Sequence, residues 1–242
     1  MGLREAIATP EGKRRYVRQL FATIAPRYDL ITRLLSYGQD ARWKRRLLQL
    51  ADIGPNDRAL DLACGTGDLT VHIGVDVTME MLQLAKERTR TPNPDHRPPT
   101  TDHLVQADMT HLPFASASFT LITTGYGLRN VPDLPAAIAE IHRVLAPGGR
   151  MLSLDFNRPE PRLLRAAYLA YLTVVGSVLG WILHGDPDTY RYIPESIRRY
   201  PGARGVAKLL EECGFDEVQV VPLLGGLMAI HTARRHEGTK MD

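Results

Sequence analysis

The chain has 242 residues, 44% of them hydrophobic and 24% charged, a globular composition that excludes a low-complexity or disordered polymer. Its formal net charge of +3 is too small to argue a nucleic-acid partner, and the basic clusters at 13–15, 42–46, 198–199 and 234–235 read singly as solvated helix faces. The two cysteines, Cys64 and Cys213, lie far apart and give neither a disulfide framework nor zinc spacing; with no charged-apolar-small leader, the reading is a reduced, cytoplasmic protein without a metal.

In chain order, residues 1–12 carry no pattern and read as loose. Tyr16, Val17, Leu20, Phe21 and Ile24 recur at helical spacing until Pro26 ends the run. A second helical run passes through Leu30, Ile31, Leu34 and Leu35 and stops at Ser36-Tyr37-Gly38. Residues 42–50 form a third helix, basic on one side and apolar through Trp43, Leu47 and Leu48. A turn at 53–57 leads into a buried strand over 59–63, with an acid at Asp61, which breaks into Gly65-Thr66-Gly67-Asp68. Glycine lets the chain turn with positive φ and approach a ligand closely. A strand running into such a loop is half of a nucleotide-type site at the carboxyl edge of an α/β sheet. No Gly-Lys-Ser/Thr follows, which removes the phosphate-cradling loop. The acids at and after the strands suit a ligand with amines and ribose hydroxyls instead.

Beyond the loop, Leu69, Val71, Ile73 and Val75 alternate with Thr70, His72 and Gly74, a period-two strand pattern ending at Asp76. Thr78 reads as the N-cap of a helix over 78–88, and the four prolines of 91–101 mark a loop. Strands follow over 103–108, 119–125 and 150–156, with a turn at 112–118. An amphipathic helix over 134–145 is closed by Ala146-Pro147-Gly148-Gly149. The apolar run 163–183, with Arg165 near its start, approaches the length of a membrane span, but Gly176, Ser177 and Gly180 interrupt it. It reads as a helical lid or core hairpin, with shallow insertion into a bilayer face as the alternative. Strands over 218–221 and 227–232, joined through Gly225-Gly226, suggest an antiparallel edge. The alternation predicts an α/β fold with a doubly wound, mostly parallel sheet. One domain over 1–242 would carry a helical cap (16–50), a core (58–156), a lid (157–200) and a C-terminal helix and strand pair (201–235).

Six blocks carry a resemblance: FATIAPRYD (21–29), SYGQDARWK (36–44), LDLACGTGDLT (60–70), GYGLRNV (125–131), RVLAPGG (143–149) and YRYIPESI (190–197). From about Val17 onward the chain resembles the class I S-adenosylmethionine-dependent C-methyltransferases of ubiquinone and menaquinone biosynthesis. The resemblance implies a Rossmann-like fold, S-adenosylmethionine as cofactor and a polyprenylated quinol as substrate, demethylmenaquinol favoured. Gly65, Thr66 and Gly67 would pass under the methionine part of the cofactor, with Asp61 at the end of the strand before them. Asp76 would take the ribose hydroxyls, Asp108 and Met109 would flank the adenine, and Gly125 would face the methionine end. Arg129 and Asn130 are candidates to steady a phenolate or orient a proton-accepting water, with Tyr28 and Asp29 approaching from the cap. Tyr126, Tyr190 and His231 are weaker candidates, and His231 reads equally as a satisfied core histidine. The apolar lid and N-terminal helices would hold the prenyl chain, and the basic residues around Trp43 would rest on an anionic membrane surface, the inner face of the membrane.

The chain departs from the family in one place. A parallel pair needs a crossover of about a dozen residues or more, usually a helix. Here Asp68, Leu69, Thr70 and Val71 alone separate the glycine loop from 72–76, so the first crossover helix is missing. Read locally, 60–76 is a β-hairpin, which would carry Asp76 to the wrong edge. The expectation is no helix of two or more turns between Thr66 and His72 and a cofactor pocket open on that side. Three readings follow: an active quinone C-methyltransferase, a relative that kept the fold and lost cofactor affinity, or a methyltransferase of another lipophilic phenol or sterol. A nicotinamide dehydrogenase is disfavoured, because Asp68 and Leu69 stand where backbone should approach a pyrophosphate.

Overall fold

A computed structural model describes residues 3–90 and 103–237. Its first helices start earlier than the apolar spacing indicates. The Thr9 hydroxyl accepts from the Gly12 N–H at 3.1 Å and Pro10 stands in the first turn, so a capped helix begins at Pro10 rather than at Tyr16. The N-terminal layer is α1 (Leu3–Ala6), α2 (Pro10–Ile24), a 3-10 turn over Ala25–Arg27, α3 (Tyr28–Leu35) and α4 (Asp40–Ala51). The loose reading of 1–12 is therefore corrected from Leu3 onward.

The core comprises β1 (Ala59–Leu62), β2 (Ile73–Asp76), α5 (Met79–Arg90), β3 (His103–Gln106), β4 (Phe119–Gly125), α6 (Leu134–Val144) and β5 (Leu145–Phe156). After it come α7 (Arg162–His184), α8 (Tyr192–Arg199), α9 (Gly202–Glu212), β6 (Phe215–Leu223) and β7 (Met228–Arg235). The expected loop at 91–101 lies outside the described residues. One seven-stranded sheet runs β3-β2-β1-β4-β5-β7-β6. Its first five strands are parallel, and β7 is antiparallel to both neighbours. Every residue of β1 is buried, as expected for a parallel strand covered on both faces. Ile138 and Ile141 of α6 and Val206 and Leu210 of α9 pack with one face of the sheet; Trp43 and Leu47 of α4 pack with the other.

Two local readings change. The segment 146–149 is not the end of a helix but an irregularity inside β5, where the pairing jumps from Phe119↔Leu145 to Leu121↔Arg150. The hairpin does not form either: β1 and β2 pair in parallel, with Leu60↔Ile73 and Leu62↔Val75 in register. Ten residues, 63–72, make the whole crossover without a helix. They suffice because ten extended residues reach roughly 33 Å. The return along a four-residue strand needs only about 13 Å, and the step to the neighbour about 5 Å. The period-two pattern of 69–72 therefore does not mark a strand: Leu69 and Thr70 are both buried, and Val71 and His72 are half-buried. Leu69 packs against Leu121 and Tyr126, the Thr70 hydroxyl donates to Asp61 at 2.8 Å, and His72 Nδ1 accepts the Ala59 N–H at 3.1 Å.

At the opposite edge, Asp57 gathers Arg150 (2.6 Å), the Thr120 hydroxyl (2.7 Å) and the Gly54 N–H (2.8 Å). Arg150 also donates to the Ala51 carbonyl at 2.6 Å, which locks the end of α4 to the sheet. The Arg150 hydrogen bonds hold the Asp57 carboxyl down at about 2, against 3.8 in an unfolded chain. A folded pKa below the unfolded one gives stability that is present above pH 3.8 and lost as pH falls toward 2. Asp57→Asn is therefore expected to destabilise the protein by about 2 kcal/mol at neutral pH. Urea denaturation at a series of pH values should show that difference closing across the acid window.

Candidate active site

The carboxyl ends of β1 to β5 share one edge, and the strand order reverses between β1 and β4, the switch point at which open α/β sheets bind ligands. Two cavities lie there under α2, α3 and α7. The smaller, about 80 Å³, is lined by Gly65, Asp76, Asp108, Met109 and Gly125, with Arg14 and Val17 of α2 as its roof. The larger, about 340 Å³, is lined by Arg129, Asn130 and Phe156 at the sheet edge and by Tyr168, Tyr171, Tyr190 and Tyr192 from the lid. Phe21, Tyr28, Tyr126 and Asn130 line both, so the two spaces meet at those four side chains.

The small cavity is walled by acceptors. Asp76 takes the Gly65 N–H at 2.9 Å and the Thr78 N–H at 2.8 Å, which ties the glycine loop to the end of β2. Burial pushes its pKa up against these donors. Asp108 is held below the ordinary carboxylate range: burial raises it, but the Thr110 N–H and hydroxyl, at 2.8 and 2.7 Å, and Arg14, at 2.7 Å, more than offset that. A side chain at Gly125 would meet the end of Leu69 at 3.0 Å, so the crossover crowds that position.

Five sequence-derived candidates stand outside both linings: Asp29, Asp61, Thr66, Gly67 and the weaker candidate His231. Asp61 is buried beneath the loop, accepting from Thr70 at 2.8 Å and Thr123 at 3.0 Å, and burial pushes its pKa up to about 7. Thr66 donates to Asp29 at 3.1 Å, and Arg88 pairs with Asp29 while donating to Thr66 and, at 2.8 Å, to Asp68. Gly67, at φ 91°, packs beside Ala85 of α5. The chain of charge continues: Lys44 bridges Asp68 and Asp40 at 2.7 Å each, and Asp40 accepts the Tyr126 hydroxyl at 2.6 Å. Burial disfavours a charge on Lys44, but Asp68 and Asp40 outweigh it and raise its pKa. Trp43 and Lys44 are thus internal, and only Arg42, Arg45 and Arg46 of that basic cluster face solvent.

Arg129 is buried and forked onto Asp155, its N–H at 3.0 Å and its Nε at 3.3 Å. It also donates to Ser196, and its guanidinium lies 5.0 Å from the centre of the Phe156 ring and 6.0 Å from that of Tyr192. Burial raises the Asp155 pKa despite this partner. Asn130 donates from Nδ2 to the Tyr126 carbonyl at 2.7 Å, which fixes the amide so that Oδ1 is the free acceptor, buried and without a partner. The Tyr192 hydroxyl is likewise buried without a partner. These two orphaned polar atoms belong to side chains lining the same cavity. Of the weaker candidates, Tyr190 bonds His184 at 2.8 Å, and His231 joins β7 to Ser153 at 3.1 Å and the Ala203 carbonyl at 2.9 Å as a core residue. Sequence reasoning missed Tyr192, although it stands inside the block 190–197, and it missed Arg14 and Lys44, whose positions depend on tertiary contact.

The profile of the ubiE/COQ5 methyltransferase family matches residues 9–235. The chain is 36% identical to the ubiquinone/menaquinone biosynthesis C-methyltransferase UbiE of Proteus mirabilis, over 90% of both chains. It is 36% identical to the demethylmenaquinone methyltransferase of Thermus thermophilus, over 89% of this chain and 100% of the relative. The fold is shared with a SAM-dependent methyltransferase of Thermotoga maritima, at a TM-score of 0.64 and 15% identity over 90% of this chain and 99% of that one. A Methanosarcina mazei SAM-dependent methyltransferase aligns at a TM-score of 0.55 and 19% identity, over 78% and 97% of the two chains.

Removing Arg129 alone leaves Asp155 buried without its cation, and breaking such a pair costs about 3–5 kcal/mol. Arg129→Ala is expected to lose stability on that scale in urea denaturation. Arg129→Ala with Asp155→Ala should recover much of the loss; equal instability of the two variants would show that the guanidinium is held by Ser196 and the rings instead.

Proposed function

The chain belongs to the ubiE/COQ5 methyltransferase family, and on that premise we propose that it methylates a ring carbon of a polyprenylated quinol, demethylmenaquinol being favoured. The enzyme is a methyltransferase and its cofactor is S-adenosylmethionine. That cofactor, when bound, supplies a methyl group activated on a sulfonium. The residues of the smaller cavity fit it. Asp76 and Asp108 keep lone pairs beyond the hydrogen bonds they already accept, which suits ribose hydroxyls and an adenine amine. Gly65 and Gly125 are assigned to the methionine side and Met109 to the adenine, while Thr66, Gly67 and Asp61, outside the lining, hold the loop in shape.

The observation that carries the reading is Asn130, a side chain common to both cavities whose buried Oδ1 has no partner. A quinol hydroxyl there donates to Asn130, which holds the ring carbon beside it toward the smaller cavity. Arg129 lowers the energy of the phenolate that forms as the proton leaves to water, and the carbon then becomes nucleophilic. Tyr192 donates to the second ring oxygen; burial pushes its pKa up, so it keeps its proton at neutral pH. Tyr28, held neutral by burial with a pKa of about 12, closes the site from the cap, and Asp29 beside it fastens the cap to Thr66 and Arg88. Fixing the reacting atoms in line supplies much of the rate. We assign the whole chain to one methyltransferase domain and place it in the cytoplasm against the inner membrane face. Its free cysteines, Cys64 and Cys213, suit a reducing compartment.

A second reading rests on the short crossover. The smaller cavity measures about 80 Å³, and Arg14 occupies Asp108, so a catalytically impaired relative with lost cofactor affinity remains the rival. Calorimetry decides between them: insertion of about a dozen residues of helix, near the usual globular length, after Thr70 should tighten cofactor binding if the rival holds.

The reading itself is tested with labelled cofactor and a short-chain demethylmenaquinol, the product identified by mass spectrometry. Methylation of a sterol or simple phenol but not of the quinol would sink it. Asn130→Ala should lower kcat by about 10²-fold, the scale of losing one preorganised polar group, with little change in cofactor affinity. Tyr192→Phe should act chiefly on KM, by about tenfold, the fold-change for one hydrogen bond.

A further inference from the structure

Helix α7 is docked by one stripe and bare on the other. Its inner stripe is Leu169, Leu172, Gly176 and Gly180. A side chain at Gly180 would come within 2.5 Å of the Asp186 carbonyl, and one at Gly176 within 3.3 Å of Tyr190, so both glycines are there to let the helix lie close. A helix held this way lies along the protein rather than crossing a bilayer. Its outer stripe is apolar from end to end: Leu163 is 85% exposed, Val174 64%, Val178 50%, Trp181 68% and Ile182 64%. No charged residue interrupts it between Arg165 and His184. Helix α3 adds Leu30 and Leu34, one turn apart and both exposed, and just past its end the exposed Tyr37 stacks on Tyr171 of α7 with ring centres 6.0 Å apart. The Tyr37–Tyr171 stack therefore joins the exposed apolar side chains of the α3 end to those of α7.

The surface has a cationic margin and a hole in it. Arg27 and Arg33 flank the α3 side, and Arg162 and Arg165 stand at the start of α7. Asp186 and Asp188, just past its end, are occupied by a turn and by Arg191, with Asp188 at 2.8 Å from that guanidinium. Leu164, Tyr171, Tyr37 and Leu224 are exposed and also line the larger cavity, so the cavity opens within the apolar surface.

We propose that the outer faces of α7 and α3 form a docking surface for an anionic phospholipid bilayer, with α7 lying in the interface plane and the cavity mouth opening into lipid. The inference rests on the lipophilic-substrate reading above and specifies where that substrate enters. Large exposed apolar side chains beside cations match an interfacial helix on a negative leaflet. A second copy of this chain fits less well, because it would bring like charges together at the margin and seal the cavity mouth.

The chain has two tryptophans, of which Trp43 is buried and Trp181 exposed, so emission changes report α7 directly. The full-length protein is mixed with phosphatidylcholine vesicles with and without phosphatidylglycerol, and flotation and emission are read together. Blue-shifted emission and flotation are expected with the anionic vesicles, weakened but not abolished by salt. Val178→Glu with Trp181→Glu, at exposed positions away from the cavity, should lower flotation by about tenfold or more, the scale of withdrawing large side chains from an apolar phase. Its circular dichroism and its methylation of a short-chain soluble quinol should be unchanged. No flotation of the parent protein, equal flotation of the variant, or a blue shift on lipid-free self-association in the ultracentrifuge would each overturn the proposal. A protein that floats but never methylates the quinol would overturn the functional reading and leave the surface standing.

Discussion

Ten residues between Leu62 and Ile73 govern how the carboxyl edge of the sheet is built. A parallel β1–β2 pair ordinarily returns through a helix that also shields the sheet and frames the ligand. Here the connection is only long enough to return, and its own side chains must do the shielding. Leu69 takes the apolar part, against Leu121 and Tyr126. Thr70 satisfies the buried Asp61, and His72 satisfies the first N–H of β1. A side chain at Gly74 would meet both Thr70 and Cys64 at 3.0 Å, so β2 is glycine where the connection presses on it. The remaining gap is closed by charge, through Arg88, Asp68, Lys44 and Asp40, which fasten the glycine loop to two helices, α5 and α4.

Carboxylates along this edge show how environment divides one chemical group into different tasks. Asp61 is buried with two hydroxyl donors and no cation in contact, and its pKa rises to about 7. Asp108 has a guanidinium, an N–H and a hydroxyl, and stays charged. Asp155 is spent on holding Arg129, whose position between the Phe156 and Tyr192 rings follows from that pairing. A buried ion pair is weak support for stability. Its value here is geometric, since Arg129 and the amide of Asn130 are neighbours in sequence and both line the larger cavity.

Much of this was legible in the sequence. The strand over 119–125 appears with those bounds, and the acids at strand ends do gather at one edge. The parallel sheet and the antiparallel late strand follow from alternation and from a short glycine connection. What failed did so because period-two apolarity does not by itself establish strand pairing: over 69–72 no ladder forms, and the polar Thr70 is as buried as Leu69. Leu69 and Val71 are hydrophobic because they cover the sheet, not because they extend it. Residues 145–149 look like punctuation because proline and glycine usually are, yet an irregular strand accommodates them. Thr9 and Pro10 carried a capping signal that apolar spacing ignores. Arg14, Lys44 and Tyr192 matter through partners far away in the chain, which no local pattern encodes.

Helix α2 runs over both cavities, giving Arg14 and Val17 to one and Leu20 to the other, while Phe21 and Tyr28 wall both. One rigid element cannot adjust to a molecule in the first space without moving a wall of the second. Occupancy of each space therefore enters the free energy of filling the other. Thermodynamic linkage makes that coupling equal in both directions, whatever its sign. Phe21 is the α2 side chain that walls both spaces, so a change of size at position 21 alters the two together.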